Sequence, residues 1–267
     1  MPIFKKDDIE IFYIQEGKGM PLVLIPGYGA SHKEWYFQIE SFKSKMRVIA
    51  LDNRGSGRSS RPNFPYTMDM IVDDIKYLLE HLEIKEKIHM CGISMGGMIV
   101  QAFVLKYPTL VKTLILCSTA PKYNAKPLYE SLKLMSDQNM TPEQTFSVYM
   151  SNVYSRAFRK SLMGNKELYE LLMKNRMENP LSIQDLENQL NIMDTHDTLK
   201  DLEKISIPTL IFGGTKDKLI PYSNSELMNE KIPNSTLKTF NGLGHVLIVE
   251  AAEQVNDYIW NFIQQNS

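Results

Sequence analysis

The chain has 267 residues, 43% hydrophobic and 23% charged, with a formal net charge of −1. That is enough for one large α/β domain, or a core with an insertion, and so little net charge excludes a global field that would recruit nucleic acid or an anionic membrane. No apolar run approaches bilayer-spanning length, and the first residues, MPIFKKDDIEIFYIQEG, lack a signal-peptide apolar stretch and cleavage site, so a cytoplasmic protein without a membrane partner is expected.

IFKKDDIEIFYIQEG alternates apolar and polar residues around Asp7-Asp8 and predicts a β-hairpin. PLVLIPG follows as a continuous apolar run, the pattern of a strand buried on both faces. MRVIALD (46–52), KIHMCGI (87–93), VKTLILC (111–117) and IPTLIFG (207–213) repeat it, and STLKTF (235–240) is a fainter copy. Helical patterns fall between them at 31–42, 67–82, 94–107, 221–232 and 250–265, with Thr67 placed to cap the second. Strand and helix in alternation predict an α/β fold, a doubly wound, mostly parallel sheet with right-handed crossovers. From about 121 to 203 the alternation stops. Thr141-Pro142-Glu143-Gln144 and Ser182 with Asp185 carry helix-start signals, and helices are expected near 126–138, 156–163 and 166–178. This block reads as an inserted all-helical cap (121–203) on a core of 1–120 and 204–267. Cys91 and Cys117 lie in apolar runs and read as buried reduced thiols, too far apart in sequence for a disulfide framework or metal site.

The chemistry concentrates at Gly92-Ile93-Ser94-Met95-Gly96. A Gly-x-Ser-x-Gly match occurs by chance in about one such chain in ten, so its setting carries the weight. A buried strand runs directly into it and a helix directly out, as a nucleophile elbow requires. A serine hydroxyl needs a base, and the base an orienting acid. In chain order Asp217 follows one buried strand and His245 the last, so three loops deliver Ser94, Asp217 and His245 to the carboxyl edge of the sheet. The N–H groups of Met95 and of Tyr28, in Pro26-Gly27-Tyr28-Gly29, are the expected oxyanion donors. The loop Asp52-Asn53-Arg54-Gly55-Ser56-Gly57-Arg58-Ser59 lacks the order of a phosphate loop and reads as a brace for the site. His81 and His89 read as structural; for His32 and His196 substrate contact is the minority reading.

The pieces LVLIPGYGAS, RVIALDNRGSGRS, CGISMGGMIVQAFVLKYP, IPTLIFGGTKDKLIP and NGLGHVLIVE together resemble the α/β-hydrolase superfamily across the whole core. Within it the chain is similar to small carboxylesterases, 3-oxoadipate enol-lactone hydrolases and carrier-protein methyl-ester esterases. It departs from many of them in carrying Pro26 where they have His. A serine at position 94 argues against the aspartate-nucleophile dehalogenases and epoxide hydrolases. The resemblance implies hydrolysis of small to medium carboxylic esters through an acyl-enzyme, without metal or organic cofactor, by a monomer or homodimer. The alternatives are enol-lactone, thioester or C–C bond hydrolysis on the same triad, or a hydrolase-derived ligand receptor. The cap carries Met135, Met140, Met150, Met163, Met173, Met177 and Met193 with Tyr123, Phe146, Tyr149, Tyr154 and Phe158; helix packing is the commoner role for any one of them, and as a set they predict an adaptable pocket for an ester with an apolar acyl or alcohol part.

Overall fold

Neighbouring side chains of a strand leave on opposite faces, and that rule sorts the core of the computed structural model, which describes residues 2–128, 130 and 140–266. Strands β1 (Ile3–Lys6), β2 (Ile9–Glu16), β3 (Pro21–Ile25), β4 (Arg47–Leu51), β5 (Ile88–Ile93), β6 (Val111–Cys117), β7 (Thr209–Gly214) and β8 (Ser235–Phe240) form one sheet in the order β1-β2-β4-β3-β5-β6-β7-β8. β1 with β2, and β2 with β4, pair antiparallel; the rest are parallel. In β3, Val23 and Ile25 join one core cluster while Leu22 and Leu24 join the other. β3, β5 and β7 are buried throughout, as their unbroken hydrophobicity predicts, whereas the edge strand β8 is mostly half-exposed.

Helices cover both faces. Against the first cluster lie α2 (Met68–His81), capped by Thr67 as expected, and α3 (Met95–Lys106). Against the second lies α1 (Tyr36–Phe42), through Ile39 and Phe42. The helix expected over 31–42 begins instead as a tight 3₁₀ turn, His32–Trp35, because the Asp52 carboxylate takes the His32 N–H at 2.7 Å and the Ser31 carbonyl takes that of Glu34 at 3.0 Å.

Between β6 and β7 the described elements are helices: α4 (Pro142–Val153), α5 (Arg156–Met163), α6 (Lys166–Met177) and α7 (Ile183–Asp194). Both expected helix-start signals are capping boxes, Thr141 with Gln144 and Ser182 with Asp185. Of the helix expected over 126–138, residues 126–128 and 130 are helical and the remainder, with Met135, lies outside the described residues. The ends of this insertion meet where Thr198 N–H donates to the Pro121 carbonyl at 2.8 Å. After β7 come α8 (Ser223–Lys231), α9 (Leu247–Glu250) and α10 (Ala252–Gln265), whose Val255, Ile259 and Ile263 are fully buried in the second cluster.

The fold brings Cys91 and Cys117 together on adjacent strands, their sulfurs 3.8 Å apart as free thiols, a proximity that a sequence separation of 26 concealed. Among the described residues no helix is long and apolar enough to cross a membrane.

Candidate active site

Ser94 sits between β5 and α3 with φ 55° and ψ −121°. A side-chain-bearing residue adopts such a backbone only when its surroundings over-determine it. Here Ser94 N–H donates to the Cys117 carbonyl at 3.0 Å, and Thr119 Oγ1 donates to the Ser94 carbonyl at 2.7 Å. A Cβ on Gly92 would lie 2.3 Å from the Gly96 carbonyl oxygen, and one on Gly96 2.2 Å from that of Ile25. Two backbones therefore touch where only hydrogen fits, and the turn into α3 is fixed.

Asp217 and His245 meet directly. His245 Nδ1 donates to Asp217 Oδ2 at 2.7 Å, and their side chains are 5% and 1% exposed. Asp217 Oδ1 takes the N–H groups of Leu219 and Ile220, which fix the carboxylate from its own loop. Burial opposes protonation of His245, but the Asp217 charge, its hydrogen bond and the charge of Glu34 prevail and hold the imidazole above its ordinary pKa. Ser94 Oγ makes no hydrogen bond to His245 in this resting arrangement, which leaves two of the three expected site residues joined and the third 9% exposed at its elbow. Such contacts commonly tighten only with substrate bound.

Among the described residues the N–H groups of Tyr28 and Met95 have no acceptor, as an oxyanion site requires. Gly27 N–H is taken by Glu34 Oε2 at 2.8 Å, and a Cβ on Gly27 would fall 3.4 Å from Ser94 Cβ. Ser94 and the Glu34 carboxyl thus flank one loop. Burial raises the Glu34 pKa against the opposing pull of the Gly27 N–H, Arg176 and His245.

The helical insertion holds this loop. Tyr28 Oη donates to the Leu186 carbonyl at 3.0 Å, and Arg176 Nη1 to the Gly29 carbonyl at 2.7 Å. Gly29 N–H donates to Gln189 Oε1 at 3.0 Å. Gln189 is fully buried; it also accepts from Ser56 Oγ at 3.2 Å and donates to the Gly55 carbonyl at 2.8 Å. The loop 52–59 is the expected brace: Asn53 Nδ2 donates to the Pro26 carbonyl at 3.1 Å, and Arg54 grips Asp74 of α2 through two bonds. On the other side, His245 N–H donates to the Val153 carbonyl at 2.7 Å, and Glu250 Oε1 accepts from Ser155 and Gly244 N–H.

The remaining histidines are structural. His32 Nδ1 bonds Asp52 Oδ1 at 2.8 Å, and His89 Nδ1 bonds Thr113 Oγ1 at 2.7 Å. His81 packs beside Phe4. His196 is buried at the neck of the insertion, where burial, against a hydrogen bond involving Ala120, lowers its pKa to about 4.

A cleft of about 620 Å³, counted to its open mouth, lies between the 3₁₀ turn and the insertion. Its wall is mixed: Glu34, Asn175, Arg176 and Asn179 stand beside Phe37, Tyr149, Tyr154, Leu172, Val246 and Val249, and no described methionine lines it. Met150 and Met193 are buried in the core clusters, Met173 and Met177 pack against one, and Met163 is 71% exposed. These methionines take the helix-packing role that was the commoner expectation for any one of them.

Two outcomes are expected. Gly96→Ala must displace the Ile25 carbonyl or the elbow, and it should cost about 3 kcal/mol or more of stability, read from denaturant unfolding. Gln189→Ala strands buried polar groups of the Gly29 and Gly55 loops and should cost about 2 kcal/mol, whereas an exposed control, Gln254→Ala, should leave the unfolding midpoint nearly unmoved.

A family model described as the alpha/beta hydrolase fold matches residues 20–252. The 3-oxoadipate enol-lactonase 2 of Acinetobacter baylyi is 28% identical over 266 residues, covering 96% of each chain. A non-heme chloroperoxidase of Burkholderia pyrrocinia is 28% identical over 288 residues, covering 97% of this chain and 98% of that one. Among solved structures, a thermophilic esterase from Thermogutta terrifontis aligns at a TM-score of 0.84 with 25% identity, over 97% of this chain and 95% of the esterase. The match spans the sheet from β3 onward, the elbow, and the loops of Asp217 and His245, and the chain belongs to the alpha/beta hydrolase fold family.

Proposed function

We propose that this protein is a serine hydrolase of carboxylic esters that works through an acyl-enzyme. The observation that carries the reading is the buried Asp217–His245 hydrogen bond at 2.7 Å, on loops that follow, in chain order, a serine held at positive φ. Asp217 fixes the imidazole with Nδ1 protonated and leaves Nε2 as the base. His245 takes the Ser94 proton as the hydroxyl oxygen attacks the ester carbonyl. The oxyanion rests on the N–H groups of Tyr28 and Met95. The alcohol leaves with the proton from His245, and water, activated by the same imidazole, releases the acid. We read 121–203 as the substrate-selecting cap over a core of 1–120 and 204–267. The similarity to an enol-lactonase supports a second reading, lactone opening by the same steps, since a lactone is a cyclic ester.

Turnover of a short p-nitrophenyl ester should fall roughly 10⁶-fold in Ser94→Ala and roughly 10⁴-fold in Asp217→Asn. A ligand receptor would show slow, near-single turnover in the unaltered protein, and that result overturns the enzymatic reading. The pH profile supplies a separate check. The base works only as neutral imidazole, and its pKa is raised, so kcat/KM should climb with pH through an apparent pKa above the ordinary histidine value of about 6.5. A profile flat across that region contradicts the assignment of His245.

A further inference from the structure

The cleft shares Glu34 with the loop that abuts Ser94, and it has donors without acceptors. Arg176 is held there from two sides: Nη1 donates to the Gly29 carbonyl at 2.7 Å, and its guanidinium carbon lies 4.5 Å from the centre of the Tyr149 ring. A guanidinium carries five N–H donors, and beyond the Gly29 bond those of Arg176 meet no acceptor among the described residues, nor does any carboxylate form an ion pair with it. Other cations near this face are neutralised: Lys33 pairs with Glu178, and Arg61 lies 3.6 Å from Asp185. The hydroxyls of Tyr149 and Tyr154, both lining the cleft, have no hydrogen-bond partner among the described residues. Burial raises the Tyr149 pKa to about 12 and pushes Tyr154 well up, so both remain protonated donors at neutral pH. The one carboxyl of the wall, Glu34, has Oε2 committed to the Gly27 N–H.

We infer that Arg176, with Tyr149 and Tyr154, forms a carboxylate-binding subsite, and that the substrates are short esters carrying a free carboxylate on the acyl side. The inference rests on the hydrolase reading above and names its substrate class. A fixed, planar guanidinium is the group best matched to a carboxylate, which it grips through two parallel N–H donors. Two phenolic donors beside it complete a donor set for an anion. Gly29, which anchors Arg176, is two residues from Gly27, which abuts Ser94, so the loop keeps the subsite close to the serine and the substrate short. A half-ester of a dicarboxylic acid of about five carbons is the probe chosen for that reach.

The experiment compares mono-p-nitrophenyl glutarate with p-nitrophenyl pentanoate, which match in length and leaving group and differ in the terminal carboxylate. The unaltered protein should favour the glutarate ester in kcat/KM by about 10- to 100-fold. The ratio should collapse toward unity in Arg176→Gln and survive in part in Arg176→Lys. Loss of Gly29 bracing affects both substrates and cancels in the ratio. Should Arg176→Gln fail to fold, the unaltered protein still decides, because a preference built on charge shrinks on raising salt to about 0.5 M. A preference for the pentanoate ester, or a glutarate preference unmoved by Arg176→Gln and by salt, overturns the subsite alone. No turnover of either ester, with Ser94 unlabelled by a fluorophosphonate, overturns the hydrolase reading and the subsite with it.

Discussion

The site depends on a contact between backbones. Gly96 at the start of α3 lies so close to the Ile25 carbonyl that a Cβ would sit 2.2 Å from its oxygen. That approach pins the helix against the end of β3, where the loop Pro26–Gly29 begins. It forces the residue before the helix into a positive φ. The strain at Ser94, of order 1–3 kcal/mol, is offset by the bonds to Cys117 and from Thr119 and by the burial of β5 and α3. The serine side chain is thereby presented at the sheet edge, with the N–H of Met95 unbonded behind it. The proposed nucleophile and oxyanion donors follow from one close packing of backbones, in which a Cβ at 92 or 96 would clash.

The helical insertion is part of that construction. Arg176 of α6 and Leu186 and Gln189 of α7 bind the loop Pro26–Gly29, while Val153 and Ser155 bind the His245 loop from the other end of the insertion. Its apolar residues divide between both core clusters, with Leu190, Ile192 and Met193 in one and Phe146, Met150 and Leu172 in the other. A segment hydrogen-bonded to both loops couples its own packing to their geometry. In the proposed mechanism substrate contact and transition-state stabilisation would share that scaffold.

What the sequence disclosed and what it withheld divide along one line. Periodicity and glycine placement are local signals, and they located the eight strands, the elbow, both capping boxes and the loops carrying Asp217 and His245. Glu34, Arg176, Gln189 and Glu250 carry no such signal. Gln189 meets Gly29 across 160 positions and Glu250 meets Ser155 across 95; each sits within a helical pattern in which a polar residue reads as solvated surface. A methionine in an amphipathic helix has two destinations, core and cleft, and sequence does not distinguish them; Met150 and Met193 went to the core, the commoner expectation for any one of them. The carboxyl of Glu34 was missed because the expected regular helix over 31–42 would not aim it at Gly27, whereas the 3₁₀ turn set by Asp52 and Ser31 does.

Glu34 raises an electrostatic question that the cleft itself answers. A carboxylate close to a developing oxyanion opposes it by a few kcal/mol at an effective dielectric of about 20, comparable to the gain from one oxyanion donor. Hydrolysis beside such a group requires that its charge be absent or countered. Burial drives the carboxyl toward its neutral form, and Arg176, whose charge persists at any working pH, faces it across the cleft. A neutral Glu34 leaves a net positive wall next to the reacting carbonyl, and an ionised one leaves a balanced wall. In neither state does the oxyanion meet uncompensated negative charge. The arrangement that makes the carboxyl tolerable is therefore the one that leaves the cleft rich in donors, and it follows from the 3₁₀ turn that brings Glu34 onto the Gly27 N–H.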